Sequence, residues 1–344
     1  MRCGIGESHM PANVGEMFYT GEMPWHGLGI ALAQPATLDE ALKVGGLNWR
    51  VDEIDLMTAD DPPSPVERRK ALVRSDRLAG DDRRVIGVAH RGFKPIQNHD
   101  AGMLFDAIFG RGKRIYHTGG YLGGGEVVWL LGKIDRTLRI AGDDVVQPYA
   151  LMANSHDGSM AFHICITTVR VVCQNTLRLA MKERLSEGFR RSHQGSFIKH
   201  AEAANDFFTA TLRELDFVAE KFVLLSQHKC DDEKMEEILV TLLPDPKKPR
   251  HSEKNPGLLR AWEKRVTEVR NARTTIAELR ETGKGMDLPG SRGTFWGALN
   301  AVLEYVDHHR QVDGPRIGDN LLGDGMDLKV KAFRTFQQEL AKAA

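Results

Sequence analysis

The chain is predicted to be an α+β protein, with a central antiparallel meander sheet flanked by helices and a mostly helical C-terminal region. Two changes of periodicity predict this class. Between residues 114 and 172 the apolar residues fall in short β-rich runs broken by glycines and an Asp-Gly turn, and after residue 196 they recur at threes and fours over long stretches. A third observation is bulk: 344 residues with 41% hydrophobic and 27% charged side chains can form a sizeable core without disulfide or metal staples.

Residues 1–57 read as an N-terminal arm holding one short helix. In PATLDEALKVGGLNW either Thr37 or Asp39 can cap that helix, and Gly45 and Gly46 end it. The stretch 58–82 combines prolines and charges with few large apolar groups, so it reads as an exposed connection or hairpin rim and as the best candidate for disorder in this half.

Residues 83–190 form the expected central α+β core. A strand over 84–90 leads through a turn into NHDAGMLFDAIFG, a helix with Asn98 at its cap and Leu104, Phe105 and Ile108 facing inward. RIYHTGGYLGGGEVVWLLGKI then has two β runs separated by glycines, and PYALMANSHDGSMAFHICITTVRVV has two more around a turn at 156–159. From Gln174 the pattern CQNTLRLAMKERL turns helical, with Leu177, Ala180, Met181 and Leu185 on one face.

The helical region, 196–344, is expected to pack on that core. Phe208, Leu212, Leu215, Ala219 and Phe222 alternate by four and three, the seam of a helix that needs a partner. After the polar loop PDPKKPRHSEKNPG come a charged helix near Trp262, a helix through TFWGALNAVLEYVDHH and a last one through LKVKAFRTFQQEL.

Four blocks carry a resemblance: GEMPWHGLG, PYALMANSHDGS, TVRVVCQNTL and TFWGALNAVLEYVDHH. In these, nearly end to end, the chain resembles a phage/plasmid-like protein family built on a bacterial domain of unknown function (domain of unknown function 932 type). The resemblance implies a phage, prophage or plasmid setting and supplies no catalytic residues. The element order from Asp100 to Leu185 is also similar to the core of ring-forming single-strand annealing proteins, a likeness of architecture without a shared motif.

The 47 basic and 47 acidic side chains cancel, so no global attraction to nucleic acid or membrane exists and any anion-binding surface is local. Cys3, Cys165, Cys173 and Cys230 lack the paired spacing of a zinc site and the density of a disulfide scaffold, and read as reduced thiols in a bacterial or infected-cell cytoplasm. The first residues hold Gly, Glu, His and Pro where a signal peptide needs an apolar core, so export by that route is not expected. No stretch approaches the roughly 20 apolar residues of a membrane span.

Charge is nevertheless uneven. Residues 83–114 and 161–200 each hold seven Lys/Arg against two Asp/Glu, whereas 201–240 holds ten acids against four bases. The nucleic-acid-binding residues read from these windows are Arg84, Arg91, Lys94, Arg111, Lys113, Arg114, Arg170, Asn175, Arg178, Arg190 and Arg191, with His156 added from the SHDGS turn between them. They form a phosphate-tracking groove if they converge, with Phe93, Tyr116 or Tyr121 as stacking faces. If they do not converge, they are solvated surface charges.

His156, Asp157 and Ser159 offer a base, a carboxylate and a hydroxyl, but Asp-Gly between two β runs is first a turn signal, and no catalytic residue is assigned. His163 and Cys165 share a strand face without a second ligand pair, so neither a metal nor a cofactor is expected. Asn175 or Thr176 reads as the cap of the following helix, with Arg170 upstream. GGYLGGGE lacks the Gly-Lys-Ser/Thr ending of a phosphate loop.

The leading functional expectation is a non-enzymatic single-stranded DNA binding or annealing protein of recombination or replication, forming a homo-oligomer through its helices. The rival is a regulator that binds a protein of host defence or replication through the acidic 201–240 helix.

Overall fold

The structure, a computed structural model, describes residues 14–21, 28–82, 84–110, 112–170, 176–178, 189–191, 201–250, 252–311 and 323–343. Its centre is a mixed sheet in the strand order β11-β10-β9-β7-β6-β1-β2, with β12 also on β10 and β8 on β9. The strands are β1 (Val14–Thr20), β2 (Ile30–Leu32), β6 (Tyr116–Leu122), β7 (Val127–Lys133), β8 (Leu138–Ala141), β9 (Asp144–Ser155), β10 (Phe162–Arg170), β11 (Thr176–Arg178) and β12 (Phe189–Arg191). All pairs are antiparallel except β1 with β2. The expected meander is β6-β7-β9-β10, and the α+β class is as predicted.

A second sheet, β3 (Val51–Met57), β4 (Pro65–Arg74) and β5 (Val85–His90), stands apart from the first. The reading of 58–82 as a hairpin rim holds, since the stretch carries the β3–β4 turn, while its reading as an exposed connection is corrected by the middle strand β4. The turn at 59–64, the start of β4 and most of 75–82 are exposed, while Lys70 to Arg74 are buried. Composition averaged over the window concealed the short apolar run Ala71-Leu72-Val73, which is enough for a strand once two neighbours pair with it.

The N-terminal arm is corrected likewise, because β1 is a full member of the large sheet and pairs with β6. Within the arm, α1 (Leu38–Val44) starts in a capping box. Thr37 Oγ1 accepts from Glu40 N, and Glu40 Oε2 accepts from Thr37 N at 3.0 Å. It ends at Gly45 as expected.

The helix α2 (Asn98–Phe105) buries Leu104 and Phe105 and continues as a π turn over Asp106–Gly110 that buries Ile108. Its cap is Gln97, not Asn98, and neither side chain bonds the helix N-terminus. Both amides are used elsewhere: Gln97 bonds the N–H and C=O of Val51 at 2.8 and 3.0 Å, and Asn98 turns into the interior. The helix expected from Gln174 is also corrected where it can be seen, since residues 176–178, Leu177 included, form strand β11. Ala180, Met181 and Leu185 lie outside the described residues.

The C-terminal helices are α3 (Ala201–Gln227), α4 (Asp232–Leu242), α5 (Pro256–Thr282), α6 (Phe295–Glu304) with a π turn over Tyr305–His309, and α7 (Asp324–Ala343). The acidic 201–240 stretch is thus two helices, broken before the N-cap Asp231. The seam on α3 finds its partners inside the chain: Phe222 packs 4.8 Å from Trp296 of α6 and 5.3 Å from Phe333 of α7, ring centroid to centroid. Helices α1, α2, α3 and α7 lie against β6, β9, β8 and β11, so one continuous core joins the sheet to both helical groups. The opposite sheet face carries a smaller cluster around Trp129, Leu131, Leu151 and Cys165.

Candidate nucleic-acid interface and the buried seam

The predicted cations fall on three parts of the fold. On the three-stranded sheet, Arg91 pairs with Asp55 at 3.5 Å and Lys94 with Glu53 at 3.7 Å, while Arg84 is half-buried beside β5. Ahead of β6, Lys113 is exposed and Arg114 makes a bidentate bridge to Glu40 of α1 at 2.5 and 2.7 Å. That bridge, after the backbone N–H of Thr37, holds the Glu40 carboxyl below its ordinary range. Arg111 and Asn175 lie outside the described residues.

The second basic window gathers on one edge of the large sheet. In the β10 register Arg178 stands opposite Thr167, Arg190 opposite His163 and Arg191 opposite Phe162, and Arg170 ends β10 itself. Four strand steps, about 19 Å at ~4.8 Å per step, separate this edge from β6 and hence from Arg114. Nor are the expected stacking faces available: Tyr116 and Tyr121 are buried and Phe93 is partly so. The Tyr116 phenol donates to Asp106 Oδ1 at 3.0 Å, and burial followed by that carboxylate pushes its pKa far up.

The SHDGS turn is divided between interior and surface. His156 is fully buried, so its reading as a phosphate contact is corrected, while Ser159 is exposed. Asp157 Oδ1 accepts from Ser159 N at 2.9 Å, and Gly158 takes φ +79°, which only glycine adopts without strain. A base, an acid and a hydroxyl facing different ways make no catalytic triad.

What His156 does instead is visible in a polar seam between the two sheets. Its Nε2 lies 2.8 Å from Asn98 Oδ1, and Asn98 Nδ2 donates to the carbonyls of Leu47 and Trp49 at 3.1 and 3.4 Å. Because the amide nitrogen is committed, Oδ1 is the acceptor and His156 Nε2 carries the hydrogen. The His156 ring meets Trp49 edge-on at 5.3 Å. The guanidinium of Arg74 lies 4.4 Å from the Trp49 ring centre and 4.7 Å from that of Tyr121, two rings set at 87° to each other.

Arg74 is 2% exposed and fully engaged: Nε and Nη2 donate to the Asp76 carboxylate at 3.0 and 2.8 Å, and Nη1 to the Gly124 carbonyl at 2.7 Å. The hydrogen bonds from Arg74 hold the Asp76 carboxyl below its ordinary range. Gly125, at φ +118°, lets the β6–β7 turn approach; a Cβ there would lie 2.9 Å from the Trp49 ring. The sequence carried a faint signal for this seam, an arginine closing the apolar run Ala-Leu-Val, but its ring partners come from 25 residues before and 47 after.

Two further chemical readings are bounded by geometry. Cys165 and Cys230 are buried, and burial pushes the Cys230 thiol up to about 11, leaving it un-ionised near neutral pH. Among the described residues no group of three His, Cys, Asp or Glu side chains is placed to hold a metal ion, and no helix is long and apolar enough to cross a membrane.

A family model described as a domain of unknown function, DUF932, matches residues 85–344. The chain belongs to the DUF932 family. No curated protein and no solved structure matches it. The DUF932 match opens at β5, so β1 to β4 and α1 precede it, yet β1 hydrogen-bonds to β6 and completes the sheet of the matched region. Two of the blocks that carry the resemblance prove to be interior structure in this DUF932 chain. PYALMANSHDGS is the buried end of β9 with the seam histidine. TFWGALNAVLEYVDHH is α6, buried on every side, whose Trp296 Nε1 donates to Asp144 Oδ2 of β9 at 2.7 Å.

Proposed function

We propose that the protein binds single-stranded DNA without enzymatic chemistry, as an accessory of recombination or replication in the cytoplasm of a phage- or plasmid-bearing cell. The observation that carries this reading is the β10 register, which brings Arg178, Arg190 and Arg191 beside Arg170 on one sheet edge although 21 positions separate the first from the last in sequence. Arg178 and Arg190 pair with positions four residues apart on β10, about 13 Å at ~3.3 Å per residue. An edge of that length spans more than one phosphate of an extended strand, and arginine is suited to bidentate phosphate contacts. Arg91, Lys94 and Arg114 are not part of the proposed site, because carboxylates already compensate them.

Affinity for a fluorescent oligo-dT, followed by anisotropy over a salt series, tests the reading. When Arg178, Arg190 and Arg191 are changed to alanine, the log–log slope is expected to become shallower by about 0.7 for each phosphate that the variant no longer neutralises. No salt-sensitive affinity at low ionic strength would remove the proposal.

A further inference from the structure

We propose that the outer edge of β3 is a docking site for an extended basic segment of a partner protein, which adds to the three-stranded sheet as a fourth strand. This does not depend on DNA binding. The edge is open in a specific register. Arg50 O accepts from Ser75 N across the β3–β4 pair, so Val51 turns its own N–H and C=O away from β4, where the Gln97 amide takes both. Alternation then aims the backbone groups of Glu53 and Asp55 the same way, and no described group bonds to them. Five of the seven β3 residues are exposed.

The outer face beside that edge is apolar and unfinished. Ile54, Ala71 and Val88 stand in register across the three strands, with Ile54 40% and Val88 49% exposed, and Val85 in the next row 52% exposed. A strand added to β3 would lengthen this stripe and cover Ile54.

Charge selects the occupant. Residues 51–61 hold five acids and no base. Lys70 and Lys94 reach Glu53, and Arg91 reaches Asp55, from the strand and loop behind, but no described ion pair reaches Asp52, Asp60 or Asp61. Like charge opposes nucleic acid here and also opposes β3 of a second copy. The complementary segment is therefore extended and presents basic side chains to the acids that no described cation meets, Asp52, Asp60 and Asp61, with an apolar one against Ile54.

The probe is a short fluorescent peptide of alternating lysine and valine, compared with its glutamate–valine counterpart on the full chain. The lysine peptide is expected to bind at least about tenfold more tightly, and Asp52→Lys with Asp55→Lys to reverse the preference. Hydrogen exchange should slow at the amides of Glu53 and Asp55. Asp55→Pro removes one outward N–H from an edge position where proline is tolerated, and is expected to abolish binding. Should that variant unfold, lysine peptides N-methylated on one edge or the other replace it, and only one of the two should bind. Equal binding of both charged peptides, protection elsewhere, indifference to N-methylation, or self-association of the protein through β3 would each overturn the proposal.

Discussion

The two sheets handle charge and exposure in opposite ways. In the large sheet, β9 runs twelve residues without one that is exposed, whereas β3 of the small sheet exposes five of seven. Around the small sheet Lys70, Lys94, Arg91 and Arg74 each meet a carboxylate, from Glu53, Asp55 or Asp76. On the large sheet the second basic window comes to a single edge through two three-residue strands. A positive window in the linear chain therefore says little about an anion site. What decides is whether the neighbouring strand brings an acid, and β3 brings two where the edge of β10 is met by arginines.

The contrast can be broken most decisively at the seam between the sheets. Trp49→Ala removes the ring on which both Arg74 and His156 rest, and should cost about 3–5 kcal/mol in urea unfolding. A loss under ~1 kcal/mol would mean that the sheets are held together elsewhere. Asn98→Ala should cost less, about 1–3 kcal/mol, because it leaves His156 Nε2–H and two backbone carbonyls without their partner. Oligonucleotide affinity should stay unchanged in Asn98→Ala, since a buried histidine touches no phosphate.

A paired scan sharpens the comparison further. Arg190→Ala with Arg191→Ala should flatten the salt dependence of oligonucleotide binding, by about 0.7 per phosphate, while Arg91→Ala with Lys94→Ala leaves it as it was. Equal effects would place the DNA on both sheets. The smallest expected effect is on pH. Burial lowers the pKa of His117, so its unfolded state takes up a proton first, and stability should fall as the pH drops below about 6.5 towards the lowered folded value. His117→Gln should lack that component in melts recorded between neutral and acid pH.

Much of the fold was legible. The glycine-separated β runs became β6-β7 and β9-β10, and the seam through Leu215 and Phe222 became a buried helix face. The misses share a cause. Within the helix expected from Gln174, residues 176–178 form β11 because β10 offers an unfilled edge, and a neighbour's backbone outweighs a weak helical pattern. Asn98 reads as a cap because Asn caps helices, yet it serves a histidine 58 positions away. Of the candidate site, the residue types were legible and their grouping was not, since Arg91 and Arg190 look alike until Asp55 is seen beside the first.

From the order of residues alone came the α+β class, the meander, the helical C-terminal region and the family, because periodicity and motif blocks are local properties. Only the tertiary structure distributed the basic residues over two sheets, buried His156, and joined β1 to β6 and Trp49 to Arg74 and Tyr121. Those outcomes depend on which distant strands share a register, and hydrogen-bonded pairing across tens of residues leaves no periodic trace in either partner.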